Sequence, residues 1–488
     1  MRVAIVHYHL RPGGVTRVIE NSLLALDKKT GFVPIVLCGE DPDPKPNFNY
    51  RVVDGLGYAD HNQPSQITSL ELAKRMRVAA SEGLEGHPPD LWHIHNHSLG
   101  KNHLFHGAVL ELAQAKESLL LHIHDFAEDG RPKNYLNLLS GLGEQSPSSS
   151  PYLTASHIHY AALNGRDLSI LQQAGIPAEH LHLLPNPITG PSSTTSDFQG
   201  PEEPAFLNQF SEVTLYPARG IRRKNLGEFV LWSTQCSEGA LLAMSLAPAN
   251  PAEQPFHQRW VDYSRENSLP CLFGASQHAP FSAWIQKAER FITTSMAEGF
   301  GLAFLEPWLH GKPLIGRDLP QITTDFSNKG IKLDSLYHRL LVPLDTFDHP
   351  SLRNKVSSKL SESYQSYRVE IDPNAVDQAI ASNLEADRID FGFLDEDHQQ
   401  QVISRAIDSP QLQSEIFEAL DHKGPSPEII ETNRDIVAQN YSLDGYGHRL
   451  DSLYQTMLSE TAGPVDAINK HAILEQFLSP ARFTLLRS

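Results

Sequence analysis

The sequence predicts an α/β protein built from two doubly wound domains, and three observations support this. The chain has 488 residues, which is long for one hydrophobic core and suits two. Apolar segments of strand length alternate with amphipathic helical stretches in residues 1–190, and the same alternation begins again after residue 210. Continuous apolar strands separated by helices are typical of a parallel sheet covered on both faces. We therefore expect a ligand site in the cleft between two such domains.

The first half of the chain shows the alternation most clearly. RVAIVHYH reads as a first strand and RPGG as a turn, and the following helix has one apolar face formed by Val15, Val18, Ile19, Leu23 and Leu26. Further strand candidates are FVPIVLC, LWHIH, LLLHIH, PYLTASHIHY and LHLLPNPI. These elements predict an N-terminal Rossmann-like domain over residues 1–190.

A segment rich in Ser, Thr, Pro and Gly, TGPSSTTSDFQGPEEP, separates the two halves and predicts a linker over residues 191–210. The strand candidates EVTLYPARG, LLAMSLAP, LPCLFGA, RFITTS and PLIGRD then predict a second doubly wound domain over residues 211–435. The amphipathic stretch RDIVAQNYSLDGYGHRLDSLYQTML predicts a helical segment within residues 436–488 that packs back toward the N-terminal domain. Residues from about 352 to 430 are polar and helical in tendency, and the region 326–430 matches no specific role.

Composition excludes several classes of partner. The formal net charge of −18 disfavours nucleic acid, because phosphate binding needs clustered Lys and Arg. No apolar run approaches the roughly 18 residues of a membrane span, so we expect no stable membrane insertion. The amino terminus lacks a small-residue cleavage site, and Cys38, Cys236 and Cys271 are too few and too scattered for a disulfide framework. These features favour a cytoplasmic protein.

The stretch EGFGLAFLE places two carboxylates, Glu298 and Glu306, on either side of a glycine-rich loop and an apolar run. It follows a strand candidate, so we expect a strand, loop and helix at the edge of a sheet, with backbone N–H groups exposed to an anion. Glu306 is then placed to accept hydrogen bonds from a vicinal diol such as a ribose, and Glu298 from another hydroxyl-rich group. A glycosidase acid and nucleophile pair is the less favoured interpretation, because a loop plus one helical turn directs the two groups along a groove.

A cationic element, YPARGIRRKN, follows the first strand of the second half. Arg219 and Lys224 lie at the end of a strand and in the turn that opens a helix, where a guanidinium and an ammonium can both bind a diphosphate. For Arg222 and Arg223 a solvated surface and a role in the site remain equally open.

These motifs resemble the family 4 retaining glycosyltransferases of the GT-B fold. The resemblance rests on HLRPGGVTRV, HIHD, LPNPI, ARGIRRKN and TSMAEGFGLAFLEPWLHGKPLIGRD, and so extends over most of residues 1–325. It implies that the E-x7-E element binds a nucleoside-diphosphate sugar donor, with Glu306 on the ribose and Glu298 near the sugar. It implies that Arg219 and Lys224 form the R-x4-K pair that neutralises the diphosphate.

The resemblance also implies roles for residues in three loops. Gly299, Phe300 and Gly301 would lie beside the sugar and phosphate, and Gly13 and Gly14 would form the first-domain loop that closes on the diphosphate or the acceptor. His124 would lie beside the reacting sugar, so the catalytic set is His124, Arg219, Lys224 and Glu298. The implied reaction is front-side transfer of a hexose to a hydroxyl of a soluble small-molecule or glycan acceptor held by the first domain. It needs neither a metal nor a cofactor.

Histidines are dense in the first half, at HIHNH (93–97), HIHD (122–125) and HIH (157–159). On a strand, the period of two places His93, His95 and His97 on one side, which would suit a metal site. A metal-dependent hydrolase is therefore one alternative, although no carboxylate and lysine have evident positions for it. A non-catalytic sugar-nucleotide-binding protein is the other.

Overall fold

The structure, a computed structural model, describes residues 1–60, 67–188, 205–418 and 420–487. The chain forms two compact units, and each draws on separate segments. Unit 1 comprises Met1–Pro187, Gln365–Val369 and Tyr441–Ser479, and unit 2 comprises Ile188–Tyr364, Glu370–Asn440 and Pro480–Ser488. Most of the predicted linker falls on residues 189–204, which lie outside the described residues, and Ala205–Gln209 forms a 3₁₀ helix.

The strands are short and most of them are buried. In chain order they are β1 (Arg2–Val6), β2 (Val33–Cys38), β3 (Tyr50–Val52), β4 (Leu91–His95), β5 (Leu119–Ile123), β6 (Leu153–Thr154), β7 (Ile158–Ala162), β8 (Leu181–Leu183), β9 (Glu212–Arg219), β10 (Ala240–Leu246), β11 (Cys271–Phe273), β12 (Arg290–Thr293), β13 (Leu314–Arg317), β14 (Leu336–Tyr337), β15 (Leu341–Pro343), β16 (Leu384–Glu385), β17 (Arg388–Asp390) and β18 (Asp466–Ala467).

Helices separate most of these strands. They are α1 (Gly14–Leu26), α2 (Ser69–Gly83), α3 (Phe105–Gln114), α4 (Pro132–Ser140), α5 (Gly165–Gln173), α6 (Leu226–Ser233), α7 (Gln254–Glu266), α8 (Phe281–Lys287), α9 (Glu306–Leu309), α10 (Pro320–Ser327), α11 (His349–Ser366), α12 (Ala375–Ala381), α13 (Glu396–Asp408), α14 (Pro410–Phe417), α15 (Pro427–Asn440), α16 (Leu443–Ser459) and α17 (Ala472–Phe477).

Unit 1 is organised around a parallel sheet with the strand order β3-β2-β1-β4-β5-β7-β8. The strands β1, β4, β5 and β7 are buried along nearly their whole length, as expected for a sheet covered on both faces. One face packs against α2 and α3, and the other against α1 and α16. The order reverses direction between β1 and β4, so the carboxyl ends of these strands flank a topological switch point.

Unit 2 repeats the same topology with a parallel sheet in the order β11-β10-β9-β12-β13-β14. Its switch point lies between β9 and β12. Two doubly wound sheets confirm the predicted fold class.

One predicted strand is interrupted. PYLTASHIHY contains two strands, β6 and β7, and the residues between them form a turn in which the Ile158 amide donates to the Ala155 carbonyl over 3.1 Å. His157 therefore precedes the strand that carries His159. The helices of the described ranges all fall short of the length and apolar character that crossing a bilayer requires.

Candidate functional site

The carboxyl ends of β9 and β12 bring the predicted cationic and acidic motifs of unit 2 together. Arg219 is the last residue of β9, and the chain then makes a 3₁₀ turn, Arg222–Lys224, before α6 begins. The loop after β12 carries Glu298, and α9 begins at Glu306. The motif thus lies at the switch point of the sheet, where doubly wound domains bind their ligands.

Glu298 is the centre of a charged cluster. The Lys224 ammonium donates to Glu298 Oε1, Arg223 donates to Oε2 over 3.0 Å, and the Ser295 hydroxyl donates to Oε1 over 2.7 Å. The side chains of Lys224 and Glu298 are 10% and 9% exposed, so neither charge is well solvated. A buried ammonium requires a paired anion, and Glu298 provides it.

Two opposing effects set the pKa of Glu298. Burial raises the pKa of Glu298. The neighbouring Lys224 and Arg223 charges and the hydrogen bonds from Lys224 and Ser295 lower it by a larger amount, so the pKa lies below the ordinary value. Glu298 is therefore ionised at neutral pH. It is a fixed acceptor that also holds Lys224 in place.

Glu306 has a different environment from Glu298. Burial raises its pKa to about 6, against the opposing charge of Lys224. Among the residues that the structure describes, its carboxylate has no hydrogen-bond donor. Glu306 is thus a partly desolvated, unpaired carboxylate at the first position of α9, which is the state expected of a group that hydrogen-bonds a ligand.

The three arginines of the cationic element, Arg219, Arg222 and Arg223, have different surroundings. Arg219 is exposed, and its side chain forms no ion pair within the described ranges. Arg222 lies over the Phe256 ring at 5.1 Å and 3.6 Å from Glu396, so its charge is paired with a carboxylate outside the motif. Arg223, for which the sequence left both interpretations open, contacts the Ala297 carbonyl over 2.7 Å as well as Glu298.

The glycine-rich loop between the two glutamates has one position that requires glycine and one that does not. Gly301 has a φ of +95°, and a Cβ there would lie 2.8 Å from Ile322 Cγ2, so both backbone conformation and packing exclude a side chain. Gly299 is exposed, and a Cβ there would meet nothing within 4 Å. Phe300 is buried with its ring against Phe326. The open space beside Gly299 leaves room for a ligand at the loop.

A buried ion network supports this site, and no pattern in the sequence indicates it. Arg317, the last residue of β13, donates to Glu228 and to Asp390, and the three side chains are almost completely buried. Glu228 also accepts from the Asn225 amide over 2.8 Å. Asn225 directly follows Lys224 and has a φ of +50°, so the network fixes the turn that presents Lys224.

In unit 1, Gly13 and Gly14 follow β1 and open α1. Both are exposed, Gly13 has the extended φ of 175°, and a Cβ at Gly14 would meet nothing within 4 Å. No side chain caps the helix. The fold itself therefore does not require glycine at either position, and the first N–H groups of α1 are open to an anion.

His124 follows β5 and is buried beside His95, with 2.8 Å between His124 Nε2 and His95 Nδ1. Asn96, which follows β4, has a φ of +55°, and its Oδ1 accepts from the backbone amide of His124 over 2.8 Å. Burial lowers the pKa of His124 well below the ordinary value, and the nearby His122 and His7 lower it further. This histidine is therefore neutral, and its position depends on the end of β4.

The prediction that His93, His95 and His97 share one side of a strand is wrong for His97. The strand ends at His95, and the left-handed Asn96 turns the chain, so His97 Nε2 contacts the Pro151 carbonyl at 2.9 Å instead. His93 and His95 do share a face, and they lie beside His122 of the adjacent strand β5 and beside His124, which directly follows β5. We call these four residues the histidine block.

Comparison with known proteins places the fold. No protein-family model matches the chain. The mannosylglucosyl-3-phosphoglycerate synthase of Petrotoga mobilis is 26% identical over an alignment of 522 positions, which covers 99% of this chain and 99% of that protein. Two solved structures share the architecture of the present chain at low sequence identity. Sucrose-phosphate synthase from Thermosynechococcus elongatus has a TM-score of 0.50 and 12% identity over 94% of this chain and 99% of that one. Anabaena HepE in complex with UDP and glucose has a TM-score of 0.50 and 14% identity over 93% of this chain and 100% of that one. With its two doubly wound units, the chain has the GT-B fold of these glycosyltransferases.

Proposed function

We propose that this protein is a retaining glycosyltransferase of the family 4 type, which transfers a hexose from a nucleoside-diphosphate sugar to a hydroxyl of a soluble acceptor. The observation that carries the proposal is the arrangement at the switch point of unit 2. There Lys224 and Glu298 are paired at the carboxyl ends of β9 and β12, and the unpaired carboxylate of Glu306 lies close enough to Lys224 for its charge to affect the pKa of Glu306.

Each part of the site has a function in donor binding. The Glu306 carboxylate accepts hydrogen bonds from the two ribose hydroxyls. The exposed Arg219 and the amino end of the turn before α6 receive the diphosphate, and Lys224 adds a second positive charge. Glu298 and the backbone beside Gly299 face the sugar, where the loop leaves open space.

The transfer step breaks the bond between the sugar C1 and the diphosphate oxygen. The acceptor oxygen forms its bond to C1 on the same face, and its proton passes to the departing phosphate. Arg219 and Lys224 stabilise the charge that develops on the leaving group, and because Glu298 already holds Lys224, little reorganisation is needed. The scheme requires no metal at the phosphates, and this metal independence is part of the proposal.

The named relatives guide the choice of donor and acceptor. HepE was solved with UDP and glucose, and sucrose-phosphate synthase and mannosylglucosyl-3-phosphoglycerate synthase are named for phosphorylated sugar products. We therefore propose UDP-glucose and GDP-mannose as the first donors to test, together with UDP-GlcNAc and ADP-glucose. Glucosyl-3-phosphoglycerate and sugar phosphates are the first acceptors.

Thermal unfolding with a panel of nucleotides and nucleotide sugars tests the donor assignment. A ligand at about 100 times its dissociation constant stabilises the protein by roughly 2.7 kcal/mol, which gives a clear rise in Tm. We expect one nucleoside diphosphate to raise the Tm by the same increment with and without EDTA. Glu306→Ala should abolish this increment, and Glu396→Ala, which alters a carboxylate near Arg222 but outside the motif, should retain it.

Two results would count against the proposal. If no nucleotide raises the Tm and a divalent metal is required for any activity, the metal-dependent hydrolase becomes the better explanation. If a nucleotide sugar binds but no hexose leaves it in the presence of any acceptor, the chain is a non-catalytic sugar-nucleotide-binding protein.

A further inference from the structure

The histidine block is a compact group of imidazoles on one face of the unit 1 sheet. β4 and β5 are adjacent and parallel, and His95 is paired in register with His122. The rings stack along each strand, with centroids 4.3 Å apart for His93 and His95 and 4.2 Å apart for His122 and His124. The proposed donor site in unit 2 uses none of these residues.

The ring nitrogens of the block are not all satisfied. His93 Nδ1 lies 2.7 Å from the Tyr454 hydroxyl, His93 Nε2 lies 3.1 Å from His122 Nδ1, and His95 Nδ1 lies 2.8 Å from His124 Nε2. Within the described part of the chain, His95 Nε2 and His122 Nε2 are buried and have no partner. Both residues have no exposed surface. Leaving a buried polar atom unsatisfied costs about 1–3 kcal/mol, so two such atoms in neighbouring rings, whose centroids are 5.1 Å apart, require an explanation.

We propose that His93, His95 and His122 bind a transition-metal ion, and that Zn²⁺ is the ion that suits them best. One ligand nitrogen from each of the three residues lies within 4.8 Å of the others. Three imidazole nitrogens suit Zn²⁺, Cu or Ni²⁺, whereas Mg²⁺ and Ca²⁺ prefer oxygen ligands. A His-X-His pair on one strand with a third histidine on its neighbour can present three nitrogens to one ion.

The surrounding hydrogen bonds set the tautomers that coordination needs. If His93 Nδ1 donates to Tyr454 and His95 Nδ1 donates to His124, the Nε2 lone pairs of His93 and His95 are free for the metal. Ligating histidines generally direct their second nitrogen to such a partner, and these partners affect metal affinity 10- to 100-fold. On binding, His93 Nε2 exchanges its contact with His122 Nδ1 for the metal, and His122 coordinates through Nε2, which has no partner among the described residues.

A bound ion would hold the histidine side chains at this end of the sheet in fixed positions. The ion would join the ends of β4 and β5, and through His95 it would fix the ring of His124, the residue expected beside the reacting sugar. Its role is to order this end of the sheet. The inference does not depend on the transferase assignment, because it rests on unit 1 alone.

A second group in unit 1 provides an internal control. His159, His180 and Glu460 also offer ligand atoms within 4.8 Å of one another. There, however, His159 is already satisfied at both nitrogens, by Glu460 at 2.9 Å and by His182 at 2.7 Å. One buried nitrogen of this group, His180 Nδ1, also lacks a partner among the described residues. Because both nitrogens of His159 are already engaged, we expect the group to bind an ion less readily than the histidine block.

The test uses the full-length protein produced without a polyhistidine tag, loaded with Zn²⁺ and then dialysed against metal-free buffer. We expect elemental analysis to find about one zinc ion per chain in the wild type, and X-ray absorption to show three imidazole ligands. His122→Gln should lose the ion. His97→Gln, which changes a buried histidine of the same motif outside the block, and Glu460→Gln should keep it.

A milder variant addresses the case in which His122→Gln does not fold. Tyr454→Phe removes only the hydroxyl beside His93, and we expect it to fold and to bind zinc 10- to 100-fold more weakly, as measured by competition with a chelator. Failure of the wild type to retain zinc would overturn the proposal. Loss of zinc in Glu460→Gln with retention in His122→Gln would also overturn it.

Discussion

Replacing Glu306 by Gln should make the protein more stable at pH 8 and a weaker binder of its donor. The Glu306 carboxylate is partly desolvated and lacks a hydrogen-bond donor among the described residues, and burial raises its pKa from 4.5 to about 6. One pKa unit corresponds to about 1.4 kcal/mol, so ionising Glu306 in the folded state costs about 2 kcal/mol relative to the unfolded chain. Gln has nearly the same shape and no charge, and it removes this cost.

The pH dependence of the effect follows from the direction of the shift. Below pH 4.5 Glu306 is protonated in both folded and unfolded states, and the two proteins should have equal stability. As the pH rises from 4.5 to about 6, the unfolded state releases its proton first, and the wild type loses stability relative to Glu306→Gln. Above this range the difference should stay constant at about 2 kcal/mol.

Urea unfolding followed by tryptophan fluorescence measures this difference. Four of the five tryptophans, Trp232, Trp260, Trp284 and Trp308, lie in unit 2, so the signal reports chiefly on the unit that contains Glu306. Isothermal titration with the donor should show the opposite change, because hydrogen bonds to a charged group contribute about 1.5–3 kcal/mol. That loss corresponds to roughly 10- to 100-fold weaker binding.

The matched control is Glu298→Gln, in the same motif. The pKa of Glu298 is lowered, since the charges of Lys224 and Arg223 outweigh burial, so its charged form stabilises the fold. That contribution is present above the unfolded pKa and is lost as the pH falls through the folded one, so Glu298→Gln should be less stable at pH 8. If Glu306→Gln is no more stable than the wild type at pH 8, or if both variants change stability in the same direction, Glu306 does not carry the unfavourable buried charge assigned to it here.

Three further predictions concern the rest of the site. Arg219→Ala should leave the Tm nearly unchanged, because this side chain is exposed and has no ion pair in the described ranges. The same variant should lower kcat, and an unchanged kcat would show that Arg219 is not part of the site. Gly301→Ala should destabilise the protein by about 1–3 kcal/mol, because Gly301 has a φ of +95° and a Cβ there would lie close to Ile322. Gly299→Ala should keep the wild-type Tm but raise the KM for the donor, because a Cβ there would enter the open space beside the loop. Arg317→Met leaves the buried carboxylates of Glu228 and Asp390 without their cation, so the free energy of unfolding in urea should fall by about 3–5 kcal/mol. A fall of less than about 1 kcal/mol would show that the network does not hold the turn.

The fold could be predicted from the sequence because its signals are local. Apolar runs of strand length, amphipathic helices and a renewed alternation after residue 210 were enough to identify two doubly wound sheets. The placement of Glu298 and Glu306 around a glycine-rich loop also followed from local pattern, and the φ of Gly301 gives the physical reason for one of those glycines.

Long-range contacts were not predictable. Glu228 and Asp390 meet Arg317 across 89 and 73 residues of sequence, and no spacing in the chain indicates that these three charges share one buried cluster. The role of Arg223 depended on the path of the loop after β12, and His97 left the other histidines because a single residue, Asn96, has a left-handed backbone. Such features depend on packing and on backbone geometry at the end of a strand.

Proton NMR of the purified protein, with the donor selected by thermal unfolding and the panel of soluble acceptors, would observe the transfer itself. We expect the anomeric signal of the donor to disappear and a glycoside signal of the same anomeric configuration to replace it, without added metal. Lys224→Ala, which leaves Arg223 as the remaining ion-pair partner of Glu298 and removes one positive charge from the diphosphate site, should slow this conversion strongly. A product of inverted configuration, or a rate in Lys224→Ala equal to that of the wild type, would contradict the account.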